Sequence, residues 1–225
     1  MATQTSLILV SGGLRSLVAL ALAAADMTQP NQSRRAVLLH IRDSQENAAQ
    51  RHDAFRRQSQ HYQMREVIEL ELPHLQAQRM DQLKQGKPAS PLRRAQVLLT
   101  AMAQAVEWGA SMVIWPVQFN ADFDAVARVT ESVVLARHLA QLDAAHWPPE
   151  AVLPSVQTPL LDLSDRQLIE TGAQLDAPWH LAWTCERGTS APCRVCIACR
   201  RRRSAFESAG ISEEPRRPTI GSRGV

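Results

Sequence analysis

The stretch Ser6-Leu7-Ile8-Leu9-Val10-Ser11-Gly12-Gly13-Leu14-Arg15-Ser16, running on through the apolar segment Leu17–Ala25, decides the fold. A short apolar run that stops at Ser-Gly-Gly reads as a buried strand followed by a tight turn. The alanine- and leucine-rich residues from Leu14 to Ala25 read as a helix by propensity. Strand, glycine turn and helix in that order form the opening of an α/β unit.

The same alternation continues outward. Ala36–Ile41 is a second apolar strand and Ala48–Tyr62 a second helix. Val67–Leu72 alternates polar and apolar residues, which suits a strand nearer the sheet edge. Leu83–Pro91 holds Gly86, Pro88 and Pro91 and reads as a loop. A helix is expected over Arg93–Trp108 with Gly109 as its stop, then a buried strand Met112–Trp115, then a long helix Asp122–Leu142. His146–Pro159 carries four prolines and is expected to be irregular or briefly extended. Ser164-Asp165-Arg166-Gln167 matches a capping box, with Gly172 expected to end the helix it starts. A last helix runs from Ala198 to Ala209 and is closed by Gly210. Continuous apolar strands alternating with helices predict a parallel sheet sandwiched by helices, a Rossmann-like α/β fold.

Composition sets the outer limits. At 225 residues and 45% hydrophobic, the chain can bury a sizeable core. Its longest strictly apolar run, Leu17–Ala25, is too short to span a membrane. That run could pass for the core of a signal peptide. The separate run Leu7–Val10, broken from it by Ser11-Gly12-Gly13, argues against secretion. A net charge of +3 is too mild to imply nucleic acid binding, and little aromatic interleaving accompanies the arginines. The charge is uneven. Residues 185–225 hold nine arginines against four acidic groups, while the remainder holds 16 basic against 18 acidic.

Two constellations carry chemistry. Ser11-Gly12-Gly13-Leu14-Arg15-Ser16 lies at a strand's carboxyl end, directly before a helix, where open parallel sheets bind ligands. Free N–H groups and the helix dipole make a phosphate seat, and the hydroxyls and Arg15 add donors. An ordinary strand–helix turn that uses two glycines is the competing reading. The motif has neither Walker nor dinucleotide glycine spacing. The second constellation is Cys185, Cys193, Cys196 and Cys199, spaced C-x7-C-x2-C-x2-C. Four soft ligands with no open position favour structural zinc, with an iron–sulfur cluster, disulfides or free thiols as alternatives. Clustered thiols in a chain of this size read as reduced ligands in a cytoplasmic protein. Arg200–Arg203 follow directly and would offset part of the thiolate charge.

Together these features resemble the QueC-type 7-cyano-7-deazaguanine synthases, in the PP-loop ATP pyrophosphatase group. The likeness spans roughly Leu7 to Ile211. Ser11–Ser16 aligns with the family's S-G-G-x-D-S loop, Gln50-Arg51-His52 with its Gln-Arg-His motif, and Pro91-Leu92-Arg93-Arg94 with its P-G-R-N turn. Asp122-Phe123, Thr158-Pro159-Leu160 and the cysteine segment with Ala205-Phe206 and Ala209-Gly210-Ile211 also match.

The resemblance implies an adenine nucleotide alpha hydrolase-like body over 1–180 and a four-cysteine zinc segment over 181–211, while the polar residues 212–225, with no periodicity, read as a mobile tail. It implies ATP held by Ser11, Gly12, Gly13, Leu14, Arg15 and Ser16, with Ser11, Ser16 and Arg15 in the catalytic loop and magnesium on the phosphates. Arg51, His52, Arg93 and Asp122 become candidate contacts for a deazapurine carboxylate. The implied reaction activates that carboxylate with ATP and converts it with ammonia to amide and nitrile. Neither membrane nor nucleic acid is an expected partner, and a homodimer stays open.

The sequence also departs from the family. Arg15 stands where the loop carries aspartate, which exchanges a potential magnesium partner for a cation. Leu92 and Arg94 replace the glycine and asparagine of the turn. Asp124-Ala125-Val126 follows Asp122-Phe123, and Trp115-Pro116-Val117 follows the fourth strand. These changes suit a shifted substrate or a catalytically inactive relative.

Overall fold

The computed structural model describes residues 4–28, 34–72, 92–147, 149 and 151–213. The loop expected at Leu83–Pro91 and the tail beyond Glu213 lie outside the described residues. Among the described residues, five strands form one parallel sheet: β1 (Gln4–Leu9), β2 (Arg34–Arg42), β3 (Glu66–Glu71), β4 (Met112–Ile114) and β5 (Ser155–Gln157). Their order is β3-β2-β1-β4-β5. The alternating strand β3 takes an edge, as its pattern predicted. The proline-rich segment supplies the other edge through the three residues of β5. The helices that connect and cover the sheet are α1 (Leu14–Met27), α2 (Ala48–His61), α3 (Arg93–Glu107), α4 (Phe123–Asp143), α5 (Asp165–Gln174) and α6 (Ile197–Ala209).

The two-residue period of the strands divides the core. Leu7, Leu9, Val37, Leu39 and Val113 face α3 and α4, where Leu98, Met102, Val129 and Ala136 meet them. Ile8, Val10 and Leu38 face the opposite way, onto Leu20 of α1 and Phe55 of α2. Each fully buried Leu or Phe contributes about 1.5–3 kcal/mol from removal of its apolar surface from water. The far side of α1 packs through Leu14, Leu17 and Val18 onto Leu168 and Ile169 of α5, Trp179, and Ala205 and Phe206 of α6. The cysteine-bearing end of the chain is thereby joined to the body by an apolar contact.

Helix ends follow their local chemistry. Asp122 caps α4 by accepting from the Ala125 N–H at 3.0 Å. Ser164 and Gln167 form both halves of the expected capping box on α5. Gly210, at φ +65°, closes α6. Gly172 does not end α5. It lies inside the helix because a Cβ there would come within 2.2 Å of the Trp179 ring and 2.9 Å of Val18.

His40, near the end of β2, is fully buried and stacks on Phe55 with ring centroids 4.4 Å apart. Its Nδ1 lies 2.7 Å from the Val10 carbonyl, which can only accept, so Nδ1 carries the proton. Nε2 has no hydrogen-bond partner among the described residues. Burial pushes His40 down to about 4, against the Val10 hydrogen bond and with help from Arg51 and His52. In the unfolded chain His40 titrates near its ordinary value of about 6.5.

Because the unfolded chain takes up the His40 proton first, stability is complete above the ordinary histidine range and falls as pH drops toward 4. The expected loss between pH 7.5 and 5 is about 2 kcal/mol by urea unfolding. His40→Asn keeps a donor for Val10 without titrating and should flatten this dependence; an unchanged slope in the variant would refute the assignment. Gly172→Ala should lower stability by about 1–2 kcal/mol, since overpacking against Trp179 outweighs the gain in helix propensity. Stabilisation by this substitution would contradict the close packing.

Candidate functional site

The sheet order reverses direction between β1 and β4, so the loops after these strands flank a crevice at their carboxyl ends. A cavity of about 350 Å³ opens there. Ser11, Gly13, Leu14 and Arg15 line it from the loop after β1, and Gln118 from the segment after β4. Asn47 and Arg51 enter from the start of α2, Asp165 and Leu168 from α5, and Arg201 and Arg202 from α6.

The glycines of the loop have separate tasks. Gly12 has φ +78°, and a Cβ on it would sit 2.2 Å from the Arg51 carbonyl, so glycine lets the loop lie against α2. The Gly12 carbonyl accepts from Gln58 Nε2 at 3.0 Å and from the Trp183 N–H at 2.9 Å. Gly13 is the N-cap of α1 and lines the cavity instead. Among the described residues no side chain caps this helix start, and no acidic residue stands in its first turn, which leaves its dipole for a bound anion. Ser16 is fully buried and donates to the Gly13 carbonyl at 3.0 Å. Its hydroxyl is 3.4 Å from that of Ser11, which faces the cavity.

Arg15 is half-buried and donates from Nε to Gln118 Oε1 at 3.2 Å, across the crevice. Gln118 is itself buried and held by two hydrogen bonds from Nε2, to the Leu163 carbonyl at 2.8 Å and to Asp165 Oδ1 at 2.9 Å. Arg201 forks onto Asp165 with bonds of 2.6 and 2.8 Å and reaches Gln118 Oε1 at 3.5 Å. Burial opposes ionisation of Asp165. Hydrogen bonds from Arg201 and Gln118, with the charges of Arg201 and Arg15, outweigh it and hold the carboxyl below its usual range. Burial lowers the Arg15 guanidinium from its ordinary value, and the nearby Arg201 adds to the effect.

The other predicted contacts are placed differently. Arg51 lines the cavity and pairs with Asp43 at 2.9 Å. Arg93 pairs with the same buried carboxylate at 2.9 Å, so Asp43 ties α2 to the start of α3. His52 is 2.8 Å from Glu69 on β3, outside the cavity lining. Asp122 is exposed and spent on its cap. Leu92, at the position of the family's turn glycine, has φ +57° and is largely exposed. Pro91 lies outside the described residues.

The cysteine ligand atoms all lie within 4.8 Å of one another, and the group could hold one metal ion. Backbone N–H groups of Cys193, Cys196 and Cys199 point at the sulfurs of Cys185, Cys193 and Cys196 at 3.3–3.4 Å, which favours thiolates. The segment is strapped to the start of α2. Asn47 and the Trp183 indole both donate to the Cys185 carbonyl, at 2.7 and 2.9 Å, and Gln50 donates to the Thr189 carbonyl at 3.3 Å. Arg202 fastens α6 by donating to the carbonyls of Ala182 and Trp179 at 2.6 and 2.8 Å. Sequence reasoning read Arg200–Arg203 as charge compensation for the thiolates. It missed that residues 201, 202 and 205 share the face of α6 that closes the cavity. It also missed Gln118 and Asp165 as cavity residues: Gln118 belongs to no motif, and Asp165 reads in the sequence only as part of a helix-capping box.

Comparison with known proteins places the chain. The family described as "Queuosine biosynthesis protein QueC" matches residues 5–210. Proteins called 7-cyano-7-deazaguanine synthase from Chlorobaculum parvum and Chlorobium limicola are each 26% identical, over 92% of this chain and 94% of theirs. The U34-tRNA thiolase NcsA from Methanococcus maripaludis, solved with its [4Fe-4S] cluster, superposes with a TM-score of 0.51 at 15% identity. That match covers 92% of this chain and 65% of the thiolase, and it is a likeness of fold. The parallel sheet, its helical layers and the matching span agree that this chain belongs to the QueC family.

Proposed function

We propose that the protein is an ATP-dependent carbon–nitrogen ligase of the 7-cyano-7-deazaguanine synthase type. The observation that carries this reading is the uncapped start of α1, which opens with Ser11, Gly13 and Arg15 into a cavity at the sheet's reversal point. ATP is the nucleotide, with its phosphates against Ser11–Ser16. Arg51, which lines the cavity from α2, is the further contact for phosphate or substrate in this reading. The acceptor is a 7-carboxy-7-deazaguanine-type carboxylate.

The chemistry has a physical logic. A carboxylate is a poor electrophile because its charge is shared over two oxygens. Its attack on the α-phosphorus of ATP releases pyrophosphate and leaves an acyl adenylate with AMP as leaving group. Ammonia displaces AMP to give the amide. A second adenylation, on the amide oxygen, permits loss of AMP and two protons to yield the nitrile. Donors fixed at the loop act where phosphate charge develops, at no cost of reorganisation.

The four-cysteine group is assigned to structural zinc, with four thiolates and no open position. It holds the segment 181–211, while 1–180 forms the nucleotide-binding body. A cytoplasmic protein with small-molecule partners completes the reading. Among the described residues no helix is long and apolar enough to cross a membrane.

A specific observation favours a second reading, a QueC-like protein that binds a nucleotide or protein partner without turnover. Arg15 takes the place of the loop aspartate, and Asp165, the one carboxylate lining the cavity among the described residues, is already committed to Arg201.

Incubation with ATP, ammonium and 7-carboxy-7-deazaguanine should release AMP and pyrophosphate in proportion to the nitrile formed. Absence of turnover across a range of deazapurine carboxylates would leave the non-catalytic reading. Purified protein should contain about one zinc per chain by elemental analysis. Removing that metal should release α6, destabilise the fold by several kcal/mol and abolish nucleotide binding. Stoichiometric iron with sulfide, or well under one zinc per chain, would overturn the zinc assignment.

A further inference from the structure

We propose that Arg15 and Arg201 together replace a divalent cation at this site, so that it binds the polyphosphate of a nucleotide without magnesium. The inference rests on the nucleotide reading given above and assigns Arg201, carried by the cysteine-bearing helix, as a second phosphate contact.

The first argument is the supply of oxygen ligands. Magnesium keeps several waters and is held by one or two carboxylates together with the phosphates. The cavity lining offers one carboxylate among the described residues, Asp165. Both of its oxygens are engaged, Oδ2 by Arg201 and Oδ1 by Arg201 and Gln118. A dication placed there would have to displace a guanidinium and stand beside another.

The second argument is charge. Arg51 shares Asp43 with Arg93, outside the cavity lining, and Arg202 pairs with Glu213 at 2.7 Å. Arg15 and Arg201 converge on one acceptor, Gln118 Oε1, and have Asp165 as the carboxylate between them. Two guanidiniums against one carboxylate leave a positive surplus in a partly desolvated place, and such a surplus seeks an anion. The pair is held in place. The two bonds from Gln118 Nε2 fix which end of the amide faces the arginines, and the Arg201 fork grips both oxygens of Asp165.

The third argument is geometric match. A guanidinium fork fits phosphate oxygens bidentately, and one hydrogen bond, through Nε, is what Arg15 makes among the described residues. The start of α1, which carries Arg15 in its first turn, supplies backbone N–H groups. Arg201 comes from α6, two residues beyond Cys199. Because both guanidiniums converge on Gln118 Oε1, they can meet the same stretch of a polyphosphate.

Calorimetric titration of the zinc-loaded full chain with ATP tests this, in buffer freed of divalent ions and again with excess magnesium at matched ionic strength. The expected Kd without magnesium is within about threefold of that with it. Arg201→Gln should weaken magnesium-free binding about tenfold or more, as loss of a charge-assisted contact predicts. Arg201→Lys keeps a charge on Asp165 without the fork and should lose less; zinc content and circular dichroism show that each variant is folded. Arg15→Asp should lose magnesium-free binding about tenfold or more while binding with magnesium persists. Magnesium-free binding that is tenfold weaker, or unchanged in Arg201→Gln, overturns the inference and leaves the proposed function standing. No ATP binding in either buffer removes the nucleotide reading and the inference with it.

Discussion

The contact between Gly12 and α2 is the constraint on which the site depends. An added Cβ would strike the Arg51 carbonyl at 2.2 Å, so the loop can lie this close to the helix only without a side chain. The same residue's carbonyl receives Gln58 from α2 and the Trp183 N–H from the strap that leads to the cysteines. One backbone unit thus registers three parts of the chain: the loop after β1, α2, and the segment that leads to the four cysteines. Gly13 is free to face the cavity because Gly12 bears the packing.

Most of the fold was legible because local and global preferences agree. The apolar strands, the capping box at Ser164 and the terminal Gly210 each declare themselves in a few residues. Gly172 was misread because glycine late in a helix ordinarily signals its end, whereas here the cause is a Trp179 ring more than one turn away. β5 was only half visible, since three residues between prolines carry little periodicity and gain their strand character from pairing with β4.

The candidate site was legible in its loop and its cysteines and not in its walls. Ser11–Ser16 and the C-x2-C steps are motifs because backbone geometry and metal coordination demand fixed spacing. Gln118, Asp165 and Arg201 act through a meeting of three elements 36 to 83 residues apart in sequence, and no spacing encodes that meeting. Arg51 and Arg93 looked like independent substrate contacts. Both lean on Asp43, whose burial makes it a tie between α2 and α3 as much as an electrostatic support. The exchange of loop aspartate for Arg15 looks like a lesion when read alone. Beside Gln118 and Asp165 it is part of a network with its own partners.

The wall formed by α6 has a consequence for the order in which the molecule is made. The cavity draws on residues 11–15 and on residues 197–205, so its two faces leave the ribosome almost a full chain length apart. A nascent chain bearing all five strands can complete its sheet while Leu14, Leu168 and Ile169 still lack the cover of Ala205 and Phe206. Contacts of such long sequence separation form late, because loop closure precedes any gain from them. The complete cavity is thereby reserved for the finished chain: a partly synthesised one has the loop but not Arg201.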